Sequence, residues 1–291
     1  MTDRPAPDRG LVLLLSCKNQ PGIVAAISTH LFEDGFNIRA SQQFDDPTSG
    51  RLFARLEFAP IDDRQISAEE AASGFTAITE RFEMTWTLKS SDQRMRVLIM
   101  VSRFGHCLND LLYRTSIGAL PIEIPAVVSN HEDLEPLARH YGVPFHHVPI
   151  SKETKPEAER RLLEIIAEEK VELTVLARYM QILSPELSHE LSGRAINIHH
   201  SMLPSFKGAR PYFQAFDRGV KMVGATAHYV TDDLDEGPII EQEIARVDHT
   251  MSVADLTALG RDAECRALAQ AVRWHAESRV VINDKRSVVF R

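Results

Sequence analysis

Ser90-Ser-Asp-Gln-Arg94, followed by Met95-Arg-Val97-Leu-Ile-Met-Val101, is where the sequence changes character. A short polar stretch gives way to a strand-sized apolar run, and similar runs then recur with helical segments between them. Val97–Val101, Ile122–Val128, Leu173–Ala177 and Ala195–Ile198 read as strands, and the stretches 107–116, 132–140 and 155–169 as helices. This alternation predicts an α/β domain with a mostly parallel sheet, Rossmann-like in organisation. Ligands in such sheets sit beyond the carboxyl ends of the strands, so the residues just after each apolar run are the first candidates for function.

Upstream, the order is strand, helix, strand, strand, helix, strand. Leu11–Ser16 is a compact apolar run, and Asn19-Gln-Pro-Gly22 is a turn. Ile23, Ile27 and Leu31, with Val24 and Phe32, then repeat at helical spacing as far as Gly35. Phe36–Phe44 and Leu52–Phe58 flank the turn Asp46-Pro-Thr-Ser-Gly50, and a helix from about Ala68 to Phe82 leads into a last strand, Glu83–Lys89. This βαββαβ order is the split, ferredoxin-like unit. The expected organisation is a disordered tail at 1–9, a first domain at 10–89, a linker at 90–94 and a second domain at 95–291.

The length of 291 residues suits two domains, and 44% apolar with 25% charged residues is an ordinary globular balance. Lys plus Arg number 33 against 41 Asp plus Glu, a net charge of −8, which argues against a broad nucleic-acid footprint. Cys17, Cys107 and Cys265 form neither a disulfide framework nor a zinc-ligand spacing. No secretory signal or membrane-length apolar run is visible, so the expectation is a cytoplasmic protein bound to neither membrane nor nucleic acid.

Two stretches could carry chemistry. In Ala195-Ile-Asn197-Ile-His199-His200-Ser201-Met-Leu-Pro204, Asn197 and His199 are two apart on an extended segment and share a face, where amide and imidazole can converge on a carbonyl. On spacing alone, a loop Asn and His satisfying backbone groups is the commoner outcome, and His200 points to the opposite face as a structural residue. In Gly224-Ala-Thr-Ala-His228-Tyr-Val-Thr-Asp232-Asp233-Leu-Asp235-Glu236-Gly237-Pro238, a strand ends in a loop with four carboxylates in five positions. Such crowding tends to raise at least one carboxyl pKa. A solvated acidic turn is the plain alternative. A calcium loop fails, because Leu234 stands at the third position counted from Asp232. The histidines show no metal-ligand spacing, so no metal is expected.

The pair INIHHSMLPSFKGARPY and GATAHYVTDDLDEGPII resembles the folate-dependent formyltransferase and hydrolase superfamily, in which Asn-x-His-x-Ser-Leu-Leu-Pro precedes His-x-Val-x-x-x-x-Asp-x-Gly-Pro. Val175-Leu-Ala-Arg-Tyr-Met180-Gln-Ile-Leu183-Ser-Pro resembles the pteridine-pocket segment of that superfamily. The likeness runs from about Met95 to the C-terminus. It implies Asn197, His199 and Asp235 as catalytic residues and His228 as support. Met180, Gln181, Ile182, Leu183, Thr231, Asp232 and Asp233 would bind the folate, with no cofactor beyond that substrate.

Asn19-Gln-Pro-Gly-Ile-Val24 with Gly35-Phe-Asn37-Ile38 is similar to an ACT domain, with Asn19, Gly22 and Asn37 as candidate amino-acid effector contacts. The pattern usually carries Asp where this chain has Asn19. An ACT domain ahead of such a catalytic domain is the arrangement of formyltetrahydrofolate deformylases, which implies hydrolysis of 10-formyltetrahydrofolate, formate supply for purine synthesis, and a homo-oligomer. Two other outcomes stay open: transfer of the formyl group to an amine such as glycinamide ribonucleotide, and a catalytically silent amino-acid sensor. Against transfer, Val101-Ser-Arg-Phe-Gly105-His-Cys-Leu-Asn109 keeps one glycine where a phosphate-cradling loop would carry several.

Overall fold

The computed structural model describes residues 10–62, 64–204 and 211–291. The tail expected at 1–9 lies outside the described residues. The chain forms two units. One runs through Gln93 and includes Glu277–Val281 and Val288–Arg291; the other comprises Arg94–Ala276 and Ile282–Ser287.

The first unit follows the order β1 (Leu11–Lys18), α1 (Ile23–Glu33), β2 (Phe36–Asp46), β3 (Arg51–Pro60), α2 (Ala68–Arg81) and β4 (Thr85–Ser90). Its four-stranded antiparallel sheet has the order β2-β3-β1-β4. Ile23, Ile27 and Leu31 bury one stripe of α1, as their spacing predicts, whereas Val24 and Phe32, each one residue further round the helix, are exposed. The first turn of α2 is closed by a reciprocal capping box, in which Ser67 accepts from the Glu70 backbone N–H and Glu70 accepts from that of Ser67. Leu13, Leu15, Phe58 and Phe75 are among the residues of its core. Arg55, only 3% exposed, donates to the carbonyls of Glu277 and Ser278 and to the Glu57 carboxylate, which satisfies its buried charge.

The second unit begins with β5 (Met95–Val101) and α3 (His106–Ser116), then β6 (Ile122–Glu123), β7 (Val127–Ser129), α4 (Glu135–His140), β8 (Phe145–His147) and α5 (Lys155–Glu168). It continues with β9 (Leu173–Leu176), α6 (Pro185–Glu190), β10 (Ala195–His199), α7 (Pro211–Asp217), β11 (Met222–Tyr229), β12 (Ile239–Arg246) and α8 (Val253–Ala276). A terminal hairpin, β13 (Val280–Asn283) and β14 (Arg286–Val289), ends the chain. The sheet order is β12-β11-β10-β9-β5-β7-β8, parallel from β10 to β8 and antiparallel at β10-β11 and β11-β12. No described helix is long and apolar enough to cross a membrane.

Two differences from the sequence pattern have physical causes. The single strand expected at Ile122–Val128 is two short strands, both paired to β5, because Pro125 between them has no N–H to give to a ladder. The 24-residue α8 escapes notice because its buried face is built from Gly260, Ala263, Ala267 and Ala271, beside larger Leu256, Leu268 and Val272. A stripe of small residues has little apolar contrast with the rest of a helix. Its one buried charge, Glu264, bears on the site below.

Candidate active site

The carboxyl ends of β9 and β10 and the loop after β11 meet around one cavity of about 250 Å³. Leu176, Arg178–Leu183 and Ser188 line it together with Asn197–His200, His228 and Val230–Asp235. The cavity therefore gathers Asn197, His199, His228 and Asp235 with Met180, Gln181, Ile182, Leu183, Thr231, Asp232 and Asp233. His200, expected to point away, also lines it and stacks on His199 with ring centroids 5.0 Å apart. Asn19, Gly22 and Asn37 belong to the first unit and are exposed there.

Strand register creates one contact that no sequence spacing reveals. Asn197 on β10 stands opposite His228 on β11, so the two side chains share a face. The Asn197 amide nitrogen lies 3.2 Å from His228 Nε2, and His228 Nδ1 lies 2.9 Å from the Tyr229 carbonyl oxygen. A carbonyl only accepts, so Nδ1 carries the proton, and Nε2 accepts from the Asn197 amide. Burial lowers the His228 pKa, against the Tyr229 carbonyl and the Asp235 charge, which favours this neutral form.

Asp235 reaches the histidines from the loop. Its backbone is left-handed, φ 58°, a conformation Asp tolerates better than most residues. Two residues later, a Cβ on Gly237 would stand 1.8 Å from the Tyr229 carbonyl oxygen, and Tyr229 N donates to the Pro238 carbonyl at 2.9 Å. Only glycine allows the loop to press this closely on β11 and turn the carboxylate inward. His199 Nδ1 lies 3.2 Å from Asp235 Oδ2, while His228 Nε2 is 3.7 Å from Oδ1, beyond hydrogen-bond reach. Burial pushes the Asp235 carboxyl up, but the hydrogen bond and charge of His199 outweigh it and hold it below the usual carboxylate value. Asp235 is therefore not a carboxyl that crowding raises, because imidazoles face it. His200 is pushed down to about 4 by burial, with the Arg178 and His199 charges adding to the effect.

Two buried side-chain nitrogens among the described residues have no hydrogen-bond partner, His199 Nε2 and Arg178 Nε, and both residues line the cavity. An unsatisfied buried polar atom costs stability unless something else engages it. With Nδ1 held by Asp235, His199 Nε2 is the atom available to a substrate.

Behind the cavity lies a second buried polar cluster that sequence reading missed. His106 Nε2 donates to Glu264 Oε2 at 2.7 Å, Tyr212 OH donates to Oε1 at 2.8 Å, and Arg178 Nε stands 3.4 Å from Oε2. Burial works to raise the Glu264 carboxyl, but His106 and Arg178 outweigh it and keep the group ionised. The available signal was a lone Glu on a helix face of Gly and Ala at i, i+3 and i+4 spacing. His106, Cys107 and Glu264 offer ligand atoms within 4.8 Å of one another. They do not fit a cation: both Glu264 oxygens are engaged, Arg178 already supplies positive charge, and Cys265 and burial raise the Cys107 thiol well above its ordinary value.

The formyl transferase family model matches residues 95–272. A formyltetrahydrofolate deformylase of Corynebacterium sp. (strain P-1) is 53% identical over 280 residues, 96% of this chain and 98% of its own. The crystal structure of formyltetrahydrofolate deformylase from Burkholderia mallei superposes with a TM-score of 0.93 at 49% identity, covering 97% of this chain and 99% of that one. A glycinamide ribonucleotide transformylase from Symbiobacterium toebii reaches a TM-score of 0.63 at 32% identity, covering 68% of this chain and 95% of that one. The likeness to the deformylases spans nearly the whole chain and not the formyl transferase portion alone, and the chain belongs to the formyltetrahydrofolate deformylase family.

Proposed function

We propose that this protein hydrolyses 10-formyltetrahydrofolate to formate and tetrahydrofolate in the cavity between β9, β10 and the Thr231–Asp235 loop. The observation that carries the reading is the His199–Asp235 pair, with His199 Nε2 buried, unsatisfied and lining a cavity of about 250 Å³. Family membership supplies the substrate class.

The residues divide the work as follows. The pterin ring lies along Met180–Leu183 and Thr231–Asp233, two segments that line the cavity. Asn197, its amide aligned by neutral His228, donates its second N–H to the oxygen that becomes negative as water adds to the formyl carbon. Asp235 Oδ2 orients His199 by accepting from its Nδ1–H, and Oδ1 takes the proton that the attacking water loses. Protonated His199 donates through Nε2 to the developing charge and delivers the proton that N10 needs to leave as an amine. The step uses side chains and water, with no resident cofactor. Incubation with 10-formyltetrahydrofolate, with and without glycinamide ribonucleotide, tests it. Formate release independent of the amine is expected, whereas turnover only with the amine overturns the reading.

The first unit is read as an ACT-type regulatory module, supported by its βαββαβ order and the exposed Asn19-Gln-Pro-Gly22 turn. A free amino acid meeting Asn19, Gly22 and Asn37 would alter formate release. Glycine and methionine titrated into that assay check this, and no response from either removes the effector role for those two ligands.

A further inference from the structure

Two separate concavities of the second unit are each lined by a member of the Glu264 cluster. Arg178 lines the cavity that holds His199 and Asp235. His106 lines a different, open polar cleft with Asn109, Tyr113, Tyr141 and Asp262. Glu264, 1% exposed, links the two linings: its Oε2 accepts from His106 and pairs with Arg178, and its Oε1 accepts from Tyr212. The fit leaves no slack on the α8 side, since a Cβ on Gly260 would overlap the Tyr212 hydroxyl at 2.1 Å.

We infer that Arg178, Glu264, His106 and Tyr212 form a partition that closes the reaction cavity to amines approaching from the outer cleft, so that water is the acceptor. The inference rests on the proposed hydrolysis and adds the source of its acceptor choice. Specificity of this kind comes from excluding the wrong partner. A formyl carbon held beside His199 is open to any nucleophile that reaches it. A primary amine would attack that carbon, the bond to N10 would break, and the proton lost by the amine would end on N10. The products would be a formamide and tetrahydrofolate. Water can share the entrance that the folate fills, whereas a bulkier amine such as glycinamide has to reach the carbon from another side. Buried ion pairs are poor sources of net stability, because desolvation offsets most of the attraction. A buried carboxylate ringed by three polar side chains, with Arg178 Nε itself lacking a hydrogen bond, is therefore better explained by what the cluster keeps out.

The test is the partition of product between formate and N-formylglycinamide, with the full-length protein, 10-formyltetrahydrofolate and excess glycinamide as probe. For the unaltered protein, formate alone is expected. Glu264→Ala removes the centre of the partition, and formamide relative to formate should rise about tenfold or more above the uncatalysed background. His106→Ala opens only the outer side, keeps the Glu264–Arg178 pair, and should give a smaller rise; it carries the test if Glu264→Ala does not fold. A folded variant that releases formate with an unchanged product ratio overturns the partition, as does formamide production by the unaltered protein. Absence of formate from the unaltered protein would instead overturn the hydrolytic reading. A purely structural role would lower stability or rate without moving the ratio.

Discussion

Asp235 and Glu264 are two buried or half-buried carboxylates of one unit, and both are kept ionised by neighbouring histidine. They differ in what surrounds the charge. Glu264 projects from the middle of a 24-residue helix, and each of its oxygens has a partner. Asp235 stands on a left-handed loop residue, holds one imidazole through Oδ2, and leaves both Oδ1 and the far nitrogen of that imidazole without a hydrogen bond. A lowered carboxyl pKa alone would not separate them. The accounting of partners does: a carboxylate with both oxygens engaged on a rigid helix has none left for a substrate, whereas a charged pair with an open valence lining a cavity is placed for chemistry.

The largest expected effects break that contrast on the catalytic side. Asp235→Asn and His199→Ala should each reduce formate release by roughly 10²–10⁴-fold, the usual worth of a positioned proton donor or acceptor. The folded population should change little, because Nε2 of His199 is already unsatisfied and Asp235 has a single hydrogen-bonded partner. Steady-state formate assays beside thermal unfolding would check both halves. Activity within tenfold of the unaltered protein for either variant would remove that residue from the mechanism.

Glu264→Gln tests the other carboxylate. It keeps volume but leaves Arg178 without its counter-charge, and removing one member of a buried ion pair costs about 3–5 kcal/mol. Urea unfolding should therefore show a larger loss for Glu264→Gln than for Asp235→Asn, while the rate penalties fall in the opposite order. Equal stability losses would mean that the two sites are not distinguished by saturation of their partners.

The sequence made these two centres unequally legible. Asn197, His199 and Asp235 lie in short segments with recognisable spacing, and strand alternation already places Asn197 and His199 on one face. Alternation of apolar runs also conveys the α/β order of the second unit and the βαββαβ order of the first. Long-range register was out of reach: the Asn197–His228 contact joins residues 31 apart and exists because β11 turns back antiparallel on β10. The Glu264 cluster was less visible still, since it assembles residues from α3, the segment after β9, α7 and α8. Each of them alone is an ordinary polar residue. The lowered Asp235 carboxyl has the same origin, because sequence displays the neighbouring acids and hides the histidines across the fold.

The smallest effect sharpens the role of His228, which lies between the two patterns. It is buried like Glu264 yet lines the cavity like Asp235. If it serves as a neutral acceptor for Asn197, His228→Gln should cost only a few-fold in rate, since the glutamine side-chain oxygen can accept the same amide N–H. A charged partner for Asp235 would be lost outright in that variant, and a hundredfold drop would favour that role. The pH dependence offers a second readout with a definite sign. Burial lowers the His228 pKa, so below the ordinary imidazole value the unfolded chain binds a proton that the folded chain does not. Its contribution to stability is present above that value and is lost as pH falls from there towards the lowered folded value. His200, pushed down to about 4, adds a term of the same sign. His228→Gln should therefore flatten, without abolishing, the fall in stability between about pH 6.5 and 4, measured by denaturant titration across that range. An unchanged slope would show that His228 is protonated in the fold, and the tautomer that aligns Asn197 would fall with it.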